Sequence, residues 1–305
     1  MNPVAPWFHG VAIDAGSGLA DAIKAARGAS ADSDDLLQFK RAILTILGPR
    51  ATTVLLDATY GRWLLADYPP GCEPMIAYEA DVYRISDKDR VTVLPDDLTV
   101  ADYPALGVRQ LKFFLYYDPD DDPALNVRKQ ALVAQIGADC VANGLDFLME
   151  PLVYHPSFPP GSEAFARVKP DLVARTVEVF AQARFQVAML KIEVPVDLAF
   201  VEGYGVPMMT RQAALDAFRN AAAAARGIPI VYLSAGVPFD WFAASLAMAG
   251  EAGVTFAGFM CGRAIWADAI AVYGAYGEAA LREWLATTGR ARLDHLIATV
   301  TRRHP

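Results

Sequence analysis

The chain has 305 residues, 54% of them apolar, and a formal net charge of −8. That supplies a sizeable core and room for one large α/β domain or two ordinary ones, while the acidic balance and the lack of any clustered basic surface argue against nucleic acid as a partner. No run of 18 apolar residues spans a membrane, and Met1-Asn2-Pro3-Val4-Ala5-Pro6 lacks the pattern of a signal peptide, so a soluble, cytoplasmic protein is expected.

In chain order, residues 10–15 read as a first strand, with Asp14 at its end. Gly16-Ser17-Gly18 follows, but Asp21 stands where a dinucleotide fingerprint needs its third glycine. Residues 30–35 form a polar loop, 34–47 a helix, and 53–58 and 75–79 two further strands. The fourth strand, 108–117, leads through a polar stretch at 118–123 to a helix at 128–143, with Gly144 at its C-terminal stop. Strand 145–154, helix 171–183 and strand 187–194 come next, then an Ala-rich helix over 210–226 that Thr210 caps and Gly227 ends. Strand 230–234, helix 239–251, strand 256–261 and a helical region complete the chain.

Continuous apolar strands alternating with helices indicate a parallel sheet covered on both faces. Eight such strands predict a TIM (β/α)8 barrel, with residues 1–305 as one domain and no repeat or linker. Cys72, Cys140 and Cys261 are too few and scattered for a disulfide framework or a metal site, and are expected as reduced thiols. The cluster Asp118, Asp120, Asp121, Asp122 lacks the spacing of a calcium loop and reads as a solvated turn. His9, His155, His295 and His304 are too dispersed for a metal-dependent lyase, the last two being too near the C-terminus to reach a barrel mouth, so no metal or other cofactor is expected.

A barrel collects its active site at the C-terminal ends of its strands, and polar residues there carry functional weight. Lys191 lies inside the apolar run Met189-Leu190-Lys191-Ile192-Glu193-Val194-Pro195, where burial disfavours the ammonium form and prepares the amine to attack a carbonyl. Glu193 shares its side of the strand, and a purely structural pair between the two is the alternative. Lys112 on the fourth strand and Glu150 on the fifth can meet Lys191 inside the barrel, Lys112 as a neighbouring cation that activates it and Glu150 as a proton shuttle. A mutual ion pair between Lys112 and Glu150 is the bland alternative. At the last two strand ends, Ser234, Gly236 and Gly262 allow backbone N–H groups to approach an anion, and Arg263 adds a planar, two-pronged charge.

The segments Leu190-Lys191-Ile192-Glu193-Val194-Pro195-Val196-Asp197, Tyr232-Leu233-Ser234-Ala235-Gly236-Val237 and Cys261-Gly262-Arg263-Ala264-Ile265-Trp266 resemble the tagatose 1,6-bisphosphate aldolase family, as does Leu111-Lys112-Phe113-Phe114-Leu115-Tyr116-Tyr117-Asp118. The likeness covers residues 105–285 well and the first 100 poorly. It implies a metal-independent class I aldolase acting on a phosphorylated sugar. Lys191 would form the Schiff base, Lys112 and Glu150 would support it, Ser234, Gly262 and Arg263 would hold a phosphate, and Asp14 would contact a hydroxyl. Sulfofructose-phosphate aldolases share this architecture, and members often form homo-oligomers. Members usually carry Asp-Gln-Arg after the first strand where this chain has Asp14-Ala15-Gly16, which argues against tagatose bisphosphate itself as the substrate. With dihydroxyacetone phosphate as the ketone fragment, the expected reaction is cleavage or formation of a phosphorylated ketose. The alternatives are an imine-dependent isomerase or dehydratase, and a non-catalytic sugar-phosphate binding protein.

Overall fold

A computed structural model describes residues 7–86 and 89–301. The N-terminal segment read above for a signal peptide, and His304, lie outside the described residues. The elements run β1 (Phe8–Ile13), α1 (Ser17–Arg27), α2 (Ser33–Leu47), β2 (Thr53–Leu56), β3 (Glu73–Ala77), β4 (Gln110–Tyr117), α3 (Pro123–Ala142), β5 (Asp146–Val153), α4 (Glu163–Phe180), β6 (Met189–Glu193), α5 (Arg211–Ala224), β7 (Ile230–Leu233), α6 (Phe239–Glu251), β8 (Gly258–Cys261), α7 (Arg263–Trp266), α8 (Ala269–Trp284) and α9 (Arg290–Thr301). The eight strands are all parallel and close in sequence order, β1 pairing with β8, which is the expected TIM barrel. Among the described residues, no helix is long and apolar enough to cross a membrane.

Several boundaries depart from the sequence reading for identifiable reasons. Helix α1 was not expected. Only Leu19 and Ile23 of it are buried, too thin an apolar stripe to register as a period, and it stops at Gly28 with φ of +76°. The polar residues before α2 form its cap: Asp32 accepts from the Asp35 N–H at 2.9 Å and Asp35 accepts from the Asp32 N–H at 3.1 Å. Asp122 caps α3 by accepting from the Ala124 and Leu125 N–H groups, so that helix begins at Pro123, whose missing N–H costs nothing in the first turn. Helix α4 starts at Glu163, ahead of the expected 171, because Ser162 caps it and Pro170 is accommodated inside it. The β2–β3 and β3–β4 connections carry 3-10 turns where α-helices complete the regular repeat. Thr210 caps α5 as expected, accepting from the Ala213 N–H at 3.1 Å.

The strands sort their side chains by the two-residue period of the pleat. One face packs under the helices in the main core. The other fills the barrel with Ala12, Leu55, Met75, Ala77, Leu148, Val231 and Met260. Two residues beyond Ala12, Ala77 and Leu148 stand Asp14, Glu79 and Glu150, and two beyond Met189 stands Lys191. An apolar plug thus gives way to an ionised layer at the C-terminal mouth.

Candidate active site

The ionised layer centres on Lys112, which is 1% exposed. Its ammonium donates to Asp14 Oδ2 at 2.9 Å and to Glu79 Oε1, and lies 2.8 Å from Glu150 Oε2. Burial pulls this amine down, but Asp14, Glu150 and Glu79 outweigh it and hold its pKa well above the ordinary lysine value. Lys112 is therefore a fixed positive charge. Asp14 shows the reciprocal effect: burial raises its carboxyl, yet the charges of Lys112 and Lys191 prevail and hold it far below the usual carboxylate range. Glu79 goes the other way, pushed up to about 7 by burial, with Lys112 opposing incompletely. It also accepts from the Phe114 N–H at 3.2 Å.

Lys191, 3% exposed, reaches the same carboxylate as Lys112 and donates to Glu150 Oε2 at 3.0 Å. One oxygen is thus shared by two lysine nitrogens. The pairing of Lys191 with Glu193 considered from the sequence is not what forms. Glu193 lies instead 3.5 Å from Lys169 and accepts from the Val153 N–H at 2.8 Å. The pairing of Lys112 with Glu150 does form, as one arm of the larger network.

The anion-binding candidates lie on the wall formed by the last two strands. Ser234, Gly236, Gly262 and Arg263 line the same cavity as Asp14, Lys112, Glu150 and Lys191, and it encloses about 480 Å³. Ala235 and Gly236 both adopt the left-handed conformation, with φ of +48° and +81°. A Cβ at Gly236 would sit 3.1 Å from the Arg263 guanidinium carbon, so the missing side chain is what admits that group. A Cβ at Gly262 would come within 2.2 Å of the Ala12 carbonyl, which locks this turn against β1. Trp266 strengthens the junction by donating its indole N–H to the same carbonyl at 2.9 Å.

The sequence reading missed two supports. Glu79 obeys the strand-end rule that singled out Asp14, since it lies just past the last residue of β3. Lys40 of α2 is fully buried and donates to the Ile13 and Ala15 carbonyls at 2.7 and 2.8 Å, fixing the backbone on both sides of Asp14. Asp57 neutralises it at 2.6 Å. The three cysteines are free and buried, as expected; burial pushes the thiols of Cys72 and Cys140 up to about 12. Cys261 faces the cavity, also with a raised pKa. The four-aspartate stretch resolves into ordinary roles, Asp122 capping a helix and Asp120 pairing with Arg175 at 2.5 Å.

Residues 9–268 match the model of the DeoC/LacD family aldolases. The chain is 40% identical to a tagatose 1,6-diphosphate aldolase of Staphylococcus aureus strain MSSA476 over 265 residues, covering 85% of this chain and 80% of that protein. It is 39% identical over 269 residues to the protein of that name from Staphylococcus haemolyticus, covering 86% and 82%. Among solved structures, the fructose-bisphosphate aldolase of Plasmodium falciparum, crystallised with TRAP and a small-molecule inhibitor, superposes with a TM-score of 0.71 at 17% identity, over 99% of this chain and 92% of that one. At that identity the likeness speaks for the barrel alone.

Proposed function

The chain belongs to the DeoC/LacD family of aldolases, and on that premise we propose that it cleaves or forms a phosphorylated ketose through an imine on Lys191. The observation that carries this reading is the shared carboxylate: Glu150 Oε2 stands 3.0 Å from Lys191 and 2.8 Å from Lys112. Lys112 keeps its proton and anchors Glu150. Glu150 is thereby aimed at the one lysine whose proton must move.

In the cleavage direction, Lys191 passes a proton to Glu150 and its nitrogen adds to the ketone carbonyl carbon. The carbinolamine hydroxyl takes that proton back and departs as water, leaving a protonated imine. Glu150, again a carboxylate, removes the proton of the C4 hydroxyl. The C3–C4 electron pair then moves into the imine, giving an enamine and a free aldehyde. Protonation at C3 and hydrolysis return the ketone and the amine. Asp14, held ionised beside Lys112, is placed to accept from a substrate hydroxyl. Ser234, Gly236, Gly262 and Arg263 hold the phosphate of the ketone fragment, which we take to be dihydroxyacetone phosphate. No divalent metal takes part in this scheme.

The test is borohydride reduction in the presence of dihydroxyacetone phosphate, followed by peptide mapping, with turnover measured in parallel under chelator. The expected result is a stable adduct on the peptide holding Lys191 and undiminished turnover with chelator. Full turnover by Lys191→Ala, or loss on chelation that a divalent ion restores, would overturn the imine.

A further inference from the structure

Among the described residues, four cations line the cavity: Arg90, Lys112, Lys191 and Arg263. The chemistry proposed above occupies three. Arg90 comes from the β3–β4 connection, and its guanidinium carbon lies 4.5 Å from the ring centre of Tyr154 and 5.3 Å from that of Tyr116. The two tyrosines meet edge to face, with ring centres 6.2 Å apart, at the ends of β4 and β5, and both line the cavity. In a barrel closed in sequence order, β4 and β5 stand across the mouth from β8 and β1. Arg90 and Arg263 therefore occupy opposite sides of the opening, with the Lys112, Glu150 and Lys191 cluster inside the barrel between them.

Three features mark Arg90 as positioned for a ligand. Its backbone is left-handed, φ of +49°, a conformation that a non-glycine residue adopts only at a cost the surrounding structure must offset. Cation–π contact with two aromatic rings holds the guanidinium in place and reduces what binding must still order. Behind these rings, buried Lys129 donates to the Tyr154 hydroxyl at 3.3 Å and Asp121 accepts from that same hydroxyl, which holds the Tyr154 ring in position under Arg90. At the end of β1, by contrast, Ala15 and Gly16 offer no side-chain donor.

We propose that Arg90 is the receptor for a terminal oxyanion on the aldehyde fragment, at the end of the substrate remote from Arg263. Phosphate, sulfonate and carboxylate share the chemistry that a planar guanidinium recognises in two-pronged fashion. The inference rests on the reading above, in which the ketone half is anchored by Arg263 and joined to Lys191. Arg90 sets specificity for the acceptor and stands outside the bond-making steps.

The test is a ratio. Condensation with dihydroxyacetone phosphate is followed with glyceraldehyde 3-phosphate, its sulfonate counterpart, tartronate semialdehyde and neutral glyceraldehyde, in the wild type, Arg90→Gln and Arg90→Lys. The wild type is expected to favour at least one charged acceptor over the neutral one, and the best of them identifies the anion. Arg90→Gln is expected to reduce that kcat/KM preference by about 10- to 100-fold, the worth of one charge-assisted contact, with Arg90→Lys intermediate. A wild type without such a preference, or a variant that loses charged and neutral acceptors in equal proportion, as a merely damaged fold would, overturns the proposal. Borohydride trapping on the wild type separates the two readings: turnover with no adduct at Lys191 removes the imine, while the acceptor ratio still judges Arg90.

Discussion

Replacing Glu79 by Gln removes a carboxyl that burial has pushed up to about 7 from an ordinary value of 4.5. In the unfolded chain the group ionises near the ordinary value, so between the two the folded protein holds a proton that the unfolded chain has released. The stability this represents is fully present below about 4.5 and is lost as pH rises through about 7. At roughly 1.4 kcal/mol per tenfold change, the whole gap is worth about 3 kcal/mol, of which roughly 2 to 3 falls between pH 5 and pH 8. With 305 residues and an unfolding entropy of about 2 cal/mol/K per residue, that amounts to about 4 °C in Tm. The substituted amide keeps an oxygen to accept from the Phe114 N–H, and Lys112 keeps Asp14 and Glu150 as partners. Thermal unfolding of both proteins at the two pH values should therefore show Glu79→Gln gaining about 4 °C on the wild type between pH 5 and pH 8. A difference in Tm that is the same at both would refute the claim that Glu79 is buried against its own charge.

Lys112→Met leaves Asp14, Glu79 and Glu150 facing one another without their shared cation. Denaturant unfolding at neutral pH should show a loss of about 3–5 kcal/mol, shrinking as pH falls and the carboxyls take up protons. Gly262→Ala forces a Cβ to within 2.2 Å of the Ala12 carbonyl, a backbone atom that cannot yield cheaply. The expected cost is about 1–3 kcal/mol in stability, with a rise in KM for the ketone phosphate that exceeds the fall in kcat.

What the sequence revealed and what it hid divide along one physical line. Asp14, Lys112, Glu150 and Lys191 are carried by strands, where a two-residue period decides which side chains enter the barrel, so a charged residue in phase with an apolar run betrays itself. Glu79 carries the same signature, two residues past Ala77, and was legible in principle. Lys40 gives a weaker sign: it falls on the apolar face of α2 with Leu36, Ile43 and Leu47. Nothing in that helix foretells that its partners are Asp57 and two carbonyls of β1, because those contacts depend on how the layers pack. Arg90 gives no sign at all. It sits in an irregular connection with no period to interrupt, and its place in the cavity follows from two tyrosines on strands that come later in the chain. The network proposed to carry the imine chemistry, which must be held rigidly, is accordingly written into the strands and can be read locally. Choice among acceptors falls to a loop whose side chain acquires meaning only once the barrel has closed. Such a loop can be altered without disturbing the Lys112, Glu150 and Lys191 network, so relatives that share the network are expected to diverge first in the aldehyde they accept.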